Sequence, residues 1–314
     1  MAATPQFGFH MPNHTFAGSP PEEEFDRLVE LATTAEAVGF DMLTVMDHVY
    51  QIAGIGPETD PILEGHLLLA ALAARTSRVR LATLVTGVTY RNPALLAKMV
   101  TTLDVISRGR AIFGIGAAWH EEEHRGYGFE FPPIRERMDR LEEACQIARL
   151  MFTQDRPSFE GTHYRIERAL NVPRPIQPGG PPIMVGGGGE QRTLKIVARH
   201  ADIANWFGPV AVLQHKDEVL LRHCEAEGRD PATILRTATA PLLLVEHERD
   251  AATALERIPP ARHPFIPPGT PAQTADRLRP HLEAGYTFLI FRTVEPTTVA
   301  WVAMAGEVIR LLRQ

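Results

Sequence analysis

An acidic residue and a histidine lie side by side at the end of an apolar segment, where they could move a proton. Asp47 and His48 follow directly after the run 42–46, which predicts a buried strand. Their side chains would then leave the sheet at its carboxyl end, where α/β barrels bind ligands. An imidazole there can give or take a proton near neutral pH, with the carboxylate fixing its orientation. Alternatively, Asp47 caps the next turn and His48 is a polar loop residue.

Four consecutive glycines predict a phosphate site in the second half of the chain: Gly186, Gly187, Gly188 and Gly189. The apolar segment 182–185 before them predicts a buried strand, and the segment 190–200 after them predicts a helix. Uncovered backbone N–H groups and the positive end of a helix dipole would meet there and can bind a phosphate. The segment is neither a Walker A loop nor a Gly-x-Gly-x-x-Gly fingerprint. A flexible linker is the alternative, but linkers rarely lie between a buried strand and a helix.

The run His120-Glu-Glu-Glu-His124 satisfies the zinc-protease pattern His-Glu-x-x-His, in which two histidines one helical turn apart bind the metal. Its surroundings argue against zinc, because the segment ends within a few residues at Gly126 and Gly128 and no Gly-x-x-His follows. We therefore expect no metal here. We interpret the run as a charged helix at a rim, with Trp119 before it pointing at a ligand.

These side chains need a scaffold, and strand and helix patterns alternate along the whole chain. The predicted strands are 7–11, 40–46, 79–85, 111–115, 182–185, 202–206, 237–245 and 286–291. The predicted helices are 25–38, 61–76, 92–106, 138–152, 190–200, 210–228, 272–284 and 296–313. A capping box at Ser19-Pro-Pro-Glu22 is expected to begin the first helix.

This alternation predicts an α/β fold, a single (β/α)8 TIM barrel over residues 1–314 with insertions at the carboxyl-end face. An open doubly wound sheet is the alternative. The segments 154–181 and 248–270 are rich in proline and arginine, and we interpret them as excursions over the rim. Together with the loop 49–60, they are expected to determine the substrate.

Composition excludes several classes of protein. The formal net charge of −6 and the dispersed basic residues argue against binding to nucleic acid. The two cysteines, Cys145 and Cys224, lie in helix-like segments without a Cys-x-x-Cys pair, which favours a reducing, cytoplasmic setting. Because there is neither a signal-peptide pattern nor an apolar run near the ~20 residues of a membrane span, we expect no export and no membrane partner.

Several motifs together resemble the bacterial luciferase-like family over nearly the whole chain. They are Asp47-His48, Tyr90-Arg-Asn-Pro93, Gly114-Ile-Gly-Ala-Ala-Trp119 with the following His120–His124 and Tyr127-Gly128, and the segment 132–143. With Pro182-Ile-Met-Val-Gly-Gly-Gly-Gly-Glu190, the chain is similar to the actinobacterial branch of probable oxidoreductases that use coenzyme F420, a 5-deazaflavin. The resemblance implies a TIM barrel and a homodimer.

The resemblance also implies roles for particular residues. Asp47 and His48 would lie beside the deazaflavin ring, with His48 exchanging a proton as hydride moves. Thr83 and Leu84 correspond to the place where the family carries a non-proline cis peptide under the ring, so both are expected to contact the cofactor. The glycine run would hold its phosphate. Trp119 occupies the position of a glutamate in some F420-dependent sugar-phosphate and alcohol dehydrogenases, and an indole cannot shuttle protons.

Three hypotheses for the activity follow. The first is an F420-dependent oxidoreductase that transfers hydride to or from a small organic substrate at a C=C, C=N or C=O bond or an alcohol. The second is an FMN-dependent monooxygenase of the same fold, because flavin activates oxygen and deazaflavin does not. The third, from another class, is a zinc hydrolase built on His120 and His124. In the first, His48, Asp47 and Trp119 are the expected catalytic residues.

Overall fold

Parallel strands form a nearly closed barrel in the computed structural model, which describes residues 4–14, 16 and 20–314. The strands are β1 (Gln6–Met11), β2 (Met42–Val45), β3 (Arg80–Thr83), β4 (Thr86–Gly87), β5 (Phe113–Gly116), β6 (Phe159–Glu160), β7 (Arg165–Ile166), β8 (Ile183–Gly186), β9 (Ile203–Phe207), β10 (Leu235–Leu244), β11 (Pro268–Gly269) and β12 (Phe288–Thr293). The barrel order is β3-β2-β1-β12-β10-β9-β8-β5-β4, in which β3 and β4 are successive pieces of one strand position.

Helices connect the strands on the outside of the barrel. They are α1 (Pro21–Val38), α2 (Gly65–Ala73), α3 (Pro93–Ser107), α4 (Glu121–Tyr127), α5 (Ile134–Thr153), α6 (Thr193–His200), α7 (Val210–Glu227), α8 (Ala251–Leu255), α9 (Pro271–Glu283) and α10 (Val299–Leu312). This arrangement confirms the predicted (β/α)8 barrel. None of the helices in the described ranges has both the length and the apolar character needed to cross a lipid bilayer.

Local boundaries differ from the predictions where a side chain or a turn ends an element. The helix expected at 61–76 begins only at Gly65, because the Glu64 side chain accepts a hydrogen bond from the Leu67 N–H as its N-cap. The first helix begins at Pro21, whereas Ser19, the expected cap, lies outside the described residues. The strand expected at 79–85 ends at Thr83, and a second short piece, β4, follows at Thr86–Gly87.

A cis peptide bond joins Leu84 and Val85 between those two strand pieces. The prediction placed it one residue earlier, between Thr83 and Leu84, and is wrong in that detail. Thr83 instead continues the ladder with β2, and its hydroxyl bonds to the Gly114 carbonyl at 3.1 Å across the seam with β5. A Cβ atom at Gly114 would lie 2.0 Å from the Thr83 carbonyl oxygen, so the seam requires glycine there.

Apolar side chains fill the barrel interior below the carboxyl ends of its strands. They are Met42, Ala82, Ile112, Met184, Ile203, Phe288 and Ile290, all at most 3% exposed. A larger apolar layer lies between the outer face of the barrel and the helices. Because the lower interior is packed, only the carboxyl-end rim leaves room for a ligand.

The two expected excursions differ from each other. Segment 154–181 contains the β6–β7 hairpin and packs against α5, whose Glu143 carboxylate accepts bonds from the Thr162 and Tyr164 N–H groups at 2.7 and 2.9 Å. Segment 248–270 contains α8 and buries Ala254, Ile258 and Ile266 in an apolar cluster with Leu243 and Val245. It is therefore an excursion with secondary structure and packed side chains.

Glu36 near the end of α1 fixes the chain that enters β3. Its carboxylate accepts hydrogen bonds of 2.7–3.1 Å from the backbone N–H groups of Ser77, Arg78 and Val79. Burial alone would raise the pKa of Glu36, but these donors outweigh it and lower the pKa from 4.5 to about 2. The ionised carboxylate therefore stabilises the fold above pH 4.5, and this contribution is lost as the pH falls toward 2.

We predict that Glu36→Gln lowers the free energy of unfolding at pH 7 by about 1–2 kcal/mol, because a neutral amide is a weaker acceptor for three donors. The difference from the unsubstituted protein should shrink as the pH falls from 4.5 toward 2. Urea denaturation followed by circular dichroism measures both effects. Glu30→Gln, at a half-exposed position of the same helix, is the matched control. Equal stability of Glu36→Gln and the control at pH 7 would refute the role.

Candidate active site

A cavity of about 540 Å³ opens at the carboxyl ends of the barrel strands. Its walls at those ends are formed by His10, Met46, Asp47, His48, the segment 84–87, the segment 116–119, the glycines 186–189, Asn205, Phe207, Thr239, Pro241 and Arg292. Ile134 and Met138 of α5 and Tyr90 complete much of the wall. The cavity thus brings together most of the residues that the sequence singled out.

The Glu123 carboxylate is fully buried beside this cavity and accepts hydrogen bonds from two segments of the rim. His48 donates from Nδ1 to Oε1 at 2.6 Å, and the Val49 N–H donates to Oε2 at 2.9 Å. The Tyr90 hydroxyl also donates to Oε1. Burial alone would raise the pKa of Glu123, but the hydrogen bonds from His48 and Tyr90 hold it below its ordinary value. Glu123 is therefore an ionised acceptor near neutral pH.

This acceptor determines which His48 nitrogen is available for chemistry. Because a carboxylate cannot donate, Nδ1 of His48 carries its proton toward Glu123, which leaves Nε2 as the second nitrogen of a ring that lines the cavity. Burial and the bond to Glu123 raise the pKa of Tyr90, so its hydroxyl stays a donor. The arrangement holds one imidazole in a single tautomer and orientation.

Asp47 does not orient His48, contrary to the prediction. Its carboxylate forms a two-pronged pair with Arg91, with distances of 2.6 Å from Nη1 to Oδ2 and 3.0 Å from Nη2 to Oδ1. Arg91 also bonds to Glu64, the N-cap of α2. Asp47 lines the cavity, but its charge is already paired with Arg91, so it anchors the loop after β2 to the loop before α3.

The two histidines of the His-Glu-x-x-His run do not converge on a metal. His124 is buried, and its Nδ1 donates to the His120 carbonyl at 2.6 Å, so its Nε2 must accept the Thr89 hydroxyl at 2.6 Å. His120 precedes the seven-residue helix α4 as its N-cap. The ligand atoms that do lie within 4.8 Å of one another belong to His48, His120 and Glu123. There, His48 and Glu123 are already bonded to each other.

Trp119, which was expected to point at a ligand, lies at the mouth of the cavity. Its residue surface is 60% exposed, and its ring meets the His48 ring edge to face at a centroid distance of 5.4 Å. The mouth is widened by two further exposed apolar side chains, Ile134 and Phe207. A ligand that entered the cavity would cover this apolar surface and gain hydrophobic stabilisation.

The glycine run forms a bare backbone loop before α6. Gly187 has a φ of +120°, which favours glycine, and its N–H donates to the Asn205 carbonyl at 3.0 Å. The N–H groups of Gly188 and Gly189 have no protein acceptor in the part of the chain that the structure describes. A Cβ atom at Gly188 would lie 3.5 Å from the side chain of Lys216. The loop therefore offers unused N–H donors beside the Lys216 ammonium group, which already pairs with the Glu190 carboxylate at 2.5 Å and keeps further N–H donors for an anion.

Other expected contacts are placed differently. Leu84 lines the cavity, whereas Thr83 is buried in the β3–β5 seam and does not. Of the three segments expected to determine the substrate, 49–60 contributes Ile52 and Ile55, and neither 154–181 nor 248–270 contributes a residue to the wall.

Comparison with known proteins identifies the family of the chain. A family model described as luciferase-like monooxygenase matches residues 5–287. The chain belongs to this luciferase-like family. It is 35% identical over 175 residues to an F420-dependent glucose-6-phosphate dehydrogenase of Amycolatopsis mediterranei, covering 55% of this chain and 50% of the relative. It is 30% identical over 295 residues to the enzyme of that name in Kribbella flavida, covering 84% of this chain and 86% of the relative.

Among solved structures, the luciferase-like chain resembles an F420-dependent secondary alcohol dehydrogenase in complex with an F420-acetone adduct. The TM-score is 0.82 with 18% sequence identity, over 99% of this chain and all of that chain. At this identity the likeness supports the fold. The first relative is matched over only half of its length.

Three residues important for this luciferase-like site were missed from the sequence: Glu123, Arg292 and Lys216. Glu123 stands in a run of glutamates, and only burial separates it from the exposed Glu122. Arg292 follows the apolar run of β12, so the rule that barrel ligands bind at carboxyl ends of strands was enough to find it. Lys216 reaches the glycine run from α7, and no local pattern indicates that contact.

We predict that Glu123→Gln lowers the free energy of unfolding by about 1–3 kcal/mol, because three buried donors lose an ionised acceptor. Glu122→Gln is the matched control, since its side chain is 80% exposed one residue earlier, and it should change stability by less than ~0.5 kcal/mol. Urea denaturation at pH 7 measures both variants. If the two variants were equally stable, Glu123 would not have the anchoring role described here.

Proposed function

We propose that the protein is an oxidoreductase that uses coenzyme F420 for hydride transfer to or from a small organic substrate. One observation supports it most: an apolar cavity at the strand ends joins a histidine of fixed tautomer, His48, to a bare glycine loop at 186–189. The relatives named as F420-dependent glucose-6-phosphate dehydrogenases support the choice of cofactor.

The residues fit a deazaflavin with a phosphate-bearing side chain. The unused N–H groups of Gly188 and Gly189, with Lys216 beside them, suit the phosphate. The apolar side chains Leu84, Val85 and Met138 suit a flat aromatic ring. When bound, F420 supplies the two-electron hydride chemistry, and the protein supplies position and proton transfer.

His48 is the proposed proton donor or acceptor, and Glu123 is the residue that positions it. Because Nδ1 of His48 is held by Glu123, Nε2 is the nitrogen left for a substrate in the cavity that this ring lines, and a substrate oxygen or carbon beside it can exchange a proton there. Asp47 acts through Arg91 as an anchor of the same loop. Trp119 is proposed to cover the reacting groups and exclude water, since its indole N–H is too weak an acid to transfer a proton near neutral pH.

We predict that F420 quenches the fluorescence of the protein through Trp119. The other two tryptophans, Trp206 and Trp301, are 2% and 4% exposed, so a ligand in the cavity would touch Trp119 first. The measurement is a titration with F420 and, in parallel, with FMN. Trp119→Phe should lose the ligand-dependent change, while the fluorescence of F420 itself still reports binding. Tight binding of FMN without binding of F420 would overturn the proposal.

Lys216→Gln should weaken F420 binding by about tenfold, the effect of losing one charge-assisted contact. Lys195→Gln is the matched control, because that lysine also pairs with a glutamate, Glu227, but is not among the side chains nearest the glycines. Equal affinity in both variants would mean that the phosphate lies elsewhere.

An FMN-dependent monooxygenase is the second candidate. It is favoured by the description of the family model, luciferase-like monooxygenase. The same parallel titration distinguishes it, because oxygen consumption with reduced FMN would then accompany FMN binding. A homodimer and a cytoplasmic location remain proposals that rest on the family resemblance and on the sparse cysteines.

We predict that His48→Gln lowers turnover by about 10²–10⁴-fold, the usual contribution of a general acid or base, without weakening F420 binding. The assay follows F420 absorbance with a panel that starts from glucose 6-phosphate and secondary alcohols. Glu123→Gln should lower turnover less, because the imidazole remains but loses its fixed orientation. Full turnover in His48→Gln, or a loss confined to F420 affinity, would exclude His48 as the proton-transfer group.

A further inference from the structure

Arg292 is an unpaired cation in the wall of the cavity. It lies near the end of β12 and, within the described parts of the chain, is the only arginine or lysine that lines the space. Among the residues that the structure describes, its guanidinium forms no ion pair and donates to no protein acceptor, whereas Arg91 nearby has two carboxylates. It also lies beyond the residues 5–287 that match the family model.

The surroundings of Arg292 do not compensate its charge. Burial, and in second place repulsion by Arg262, lowers the pKa of Arg292, yet a guanidinium keeps its proton. Burial is also the main reason why the pKa of His10, its register partner on β1, falls to about 3, so that ring is neutral. Glu295 lines a small adjoining pocket with both arginines, but its carboxylate pairs with Arg257 at 3.3 Å.

The single carboxylate in the wall does not balance Arg292 either. Asp47 is paired with Arg91, as described above. A partly desolvated cation without a counter-ion has lost part of its hydration, and an anion from outside is the partner that compensates this loss most strongly. The cavity therefore carries an excess positive charge at one end and apolar surface elsewhere.

The position of Arg292 separates it from the glycine loop. In the strand order β2-β1-β12-β10-β9-β8, β12 lies two strands from β2 and three strands from β8. His48 follows β2 closely, and the glycine run begins at the end of β8. Two strand spacings correspond to about 10 Å. A small molecule held at Arg292 can thus place a carbon near His48 without occupying the glycine loop.

We propose that the substrate is an organic oxyanion, a carboxylate or phosphate, whose charged group binds Arg292 while its reacting carbon lies beside His48. This inference rests on the proposed function, because it concerns the substrate of the same cavity. A guanidinium can form two parallel hydrogen bonds to either oxyanion, which fixes the orientation of the substrate as well as its position. The same group could instead receive an anion of the cofactor, and the experiment separates the two sources.

The test is isothermal titration calorimetry of F420-loaded protein with three probe ligands: benzoate, phenyl phosphate and the neutral benzamide. We expect one or both anions to bind at least about tenfold more tightly than benzamide, and Arg292→Gln to abolish that preference. Arg292→Lys should restore part of it, because the charge returns without the two-pronged geometry. Arg27→Gln, at a half-exposed site on α1, is the control and should keep the preference.

Titration of F420 into the same variants identifies the source of the anion. Unchanged F420 affinity in Arg292→Gln, with lost preference for the anions, supports a substrate oxyanion. Weaker F420 affinity with an unchanged preference assigns Arg292 to the cofactor and overturns the inference. The inference is also overturned if the unsubstituted protein binds benzamide as tightly as it binds the two anions. If F420 does not bind at all, the proposed function fails, whereas the anion preference can still be measured on the protein alone. A thermal melt of each variant confirms folding.

Discussion

The buried Glu123 carboxylate is the interaction on which the geometry of the cavity depends. It connects α4 to the loop after β2 through His48 and Val49, and to the loop after β4 through Tyr90. Parallel strands bring all these loops to one rim, but they do not fix the side chains at their tips. An ionised acceptor with several donors does so, because each donor would lose a strong bond if its loop moved.

Two further carboxylates anchor the neighbouring part of the rim. Asp47 and Glu64 hold Arg91 between them, which joins the start of α2 to the loop before α3. Charges in this half of the rim are therefore matched within the protein. The half that contains Arg292 lacks such matching, so the cavity is electrically asymmetric. An asymmetric cavity orients a polar ligand before any specific contact forms.

The barrel was predictable from the sequence because its signals are local. Apolar runs at 182–185 and 286–291 and the cap and proline at Asn92 and Pro93 determine strands and helix starts through neighbouring residues. The resemblance to the luciferase-like family was confirmed. The motifs that carried it, such as Asp47-His48 and the glycine run, lie at the rim where the cavity opens. The position of the cis peptide was missed by one residue, because ladder pairing with β2 decides where β3 ends.

The site could be predicted only in part, because its contacts join distant segments. Asp47 and His48 are adjacent in sequence, which suggested a pair, yet each finds its partner more than 40 residues away. Periodicity cannot show which of three glutamates in a run turns inward, and Glu123 does so where His48, Val49 and Tyr90 of other segments supply its donors. Long-range hydrogen bonds of this kind are consequences of the fold and leave no local signature.

The packed lower interior of the barrel has a kinetic consequence. Met42, Met184 and Ile290 close the space below the cavity, so molecules pass through one mouth, beside Trp119. A reactant cannot enter from one side while a product leaves from the other. Exchange at this site must therefore be sequential, and a product that lingers competes directly with the next molecule that enters.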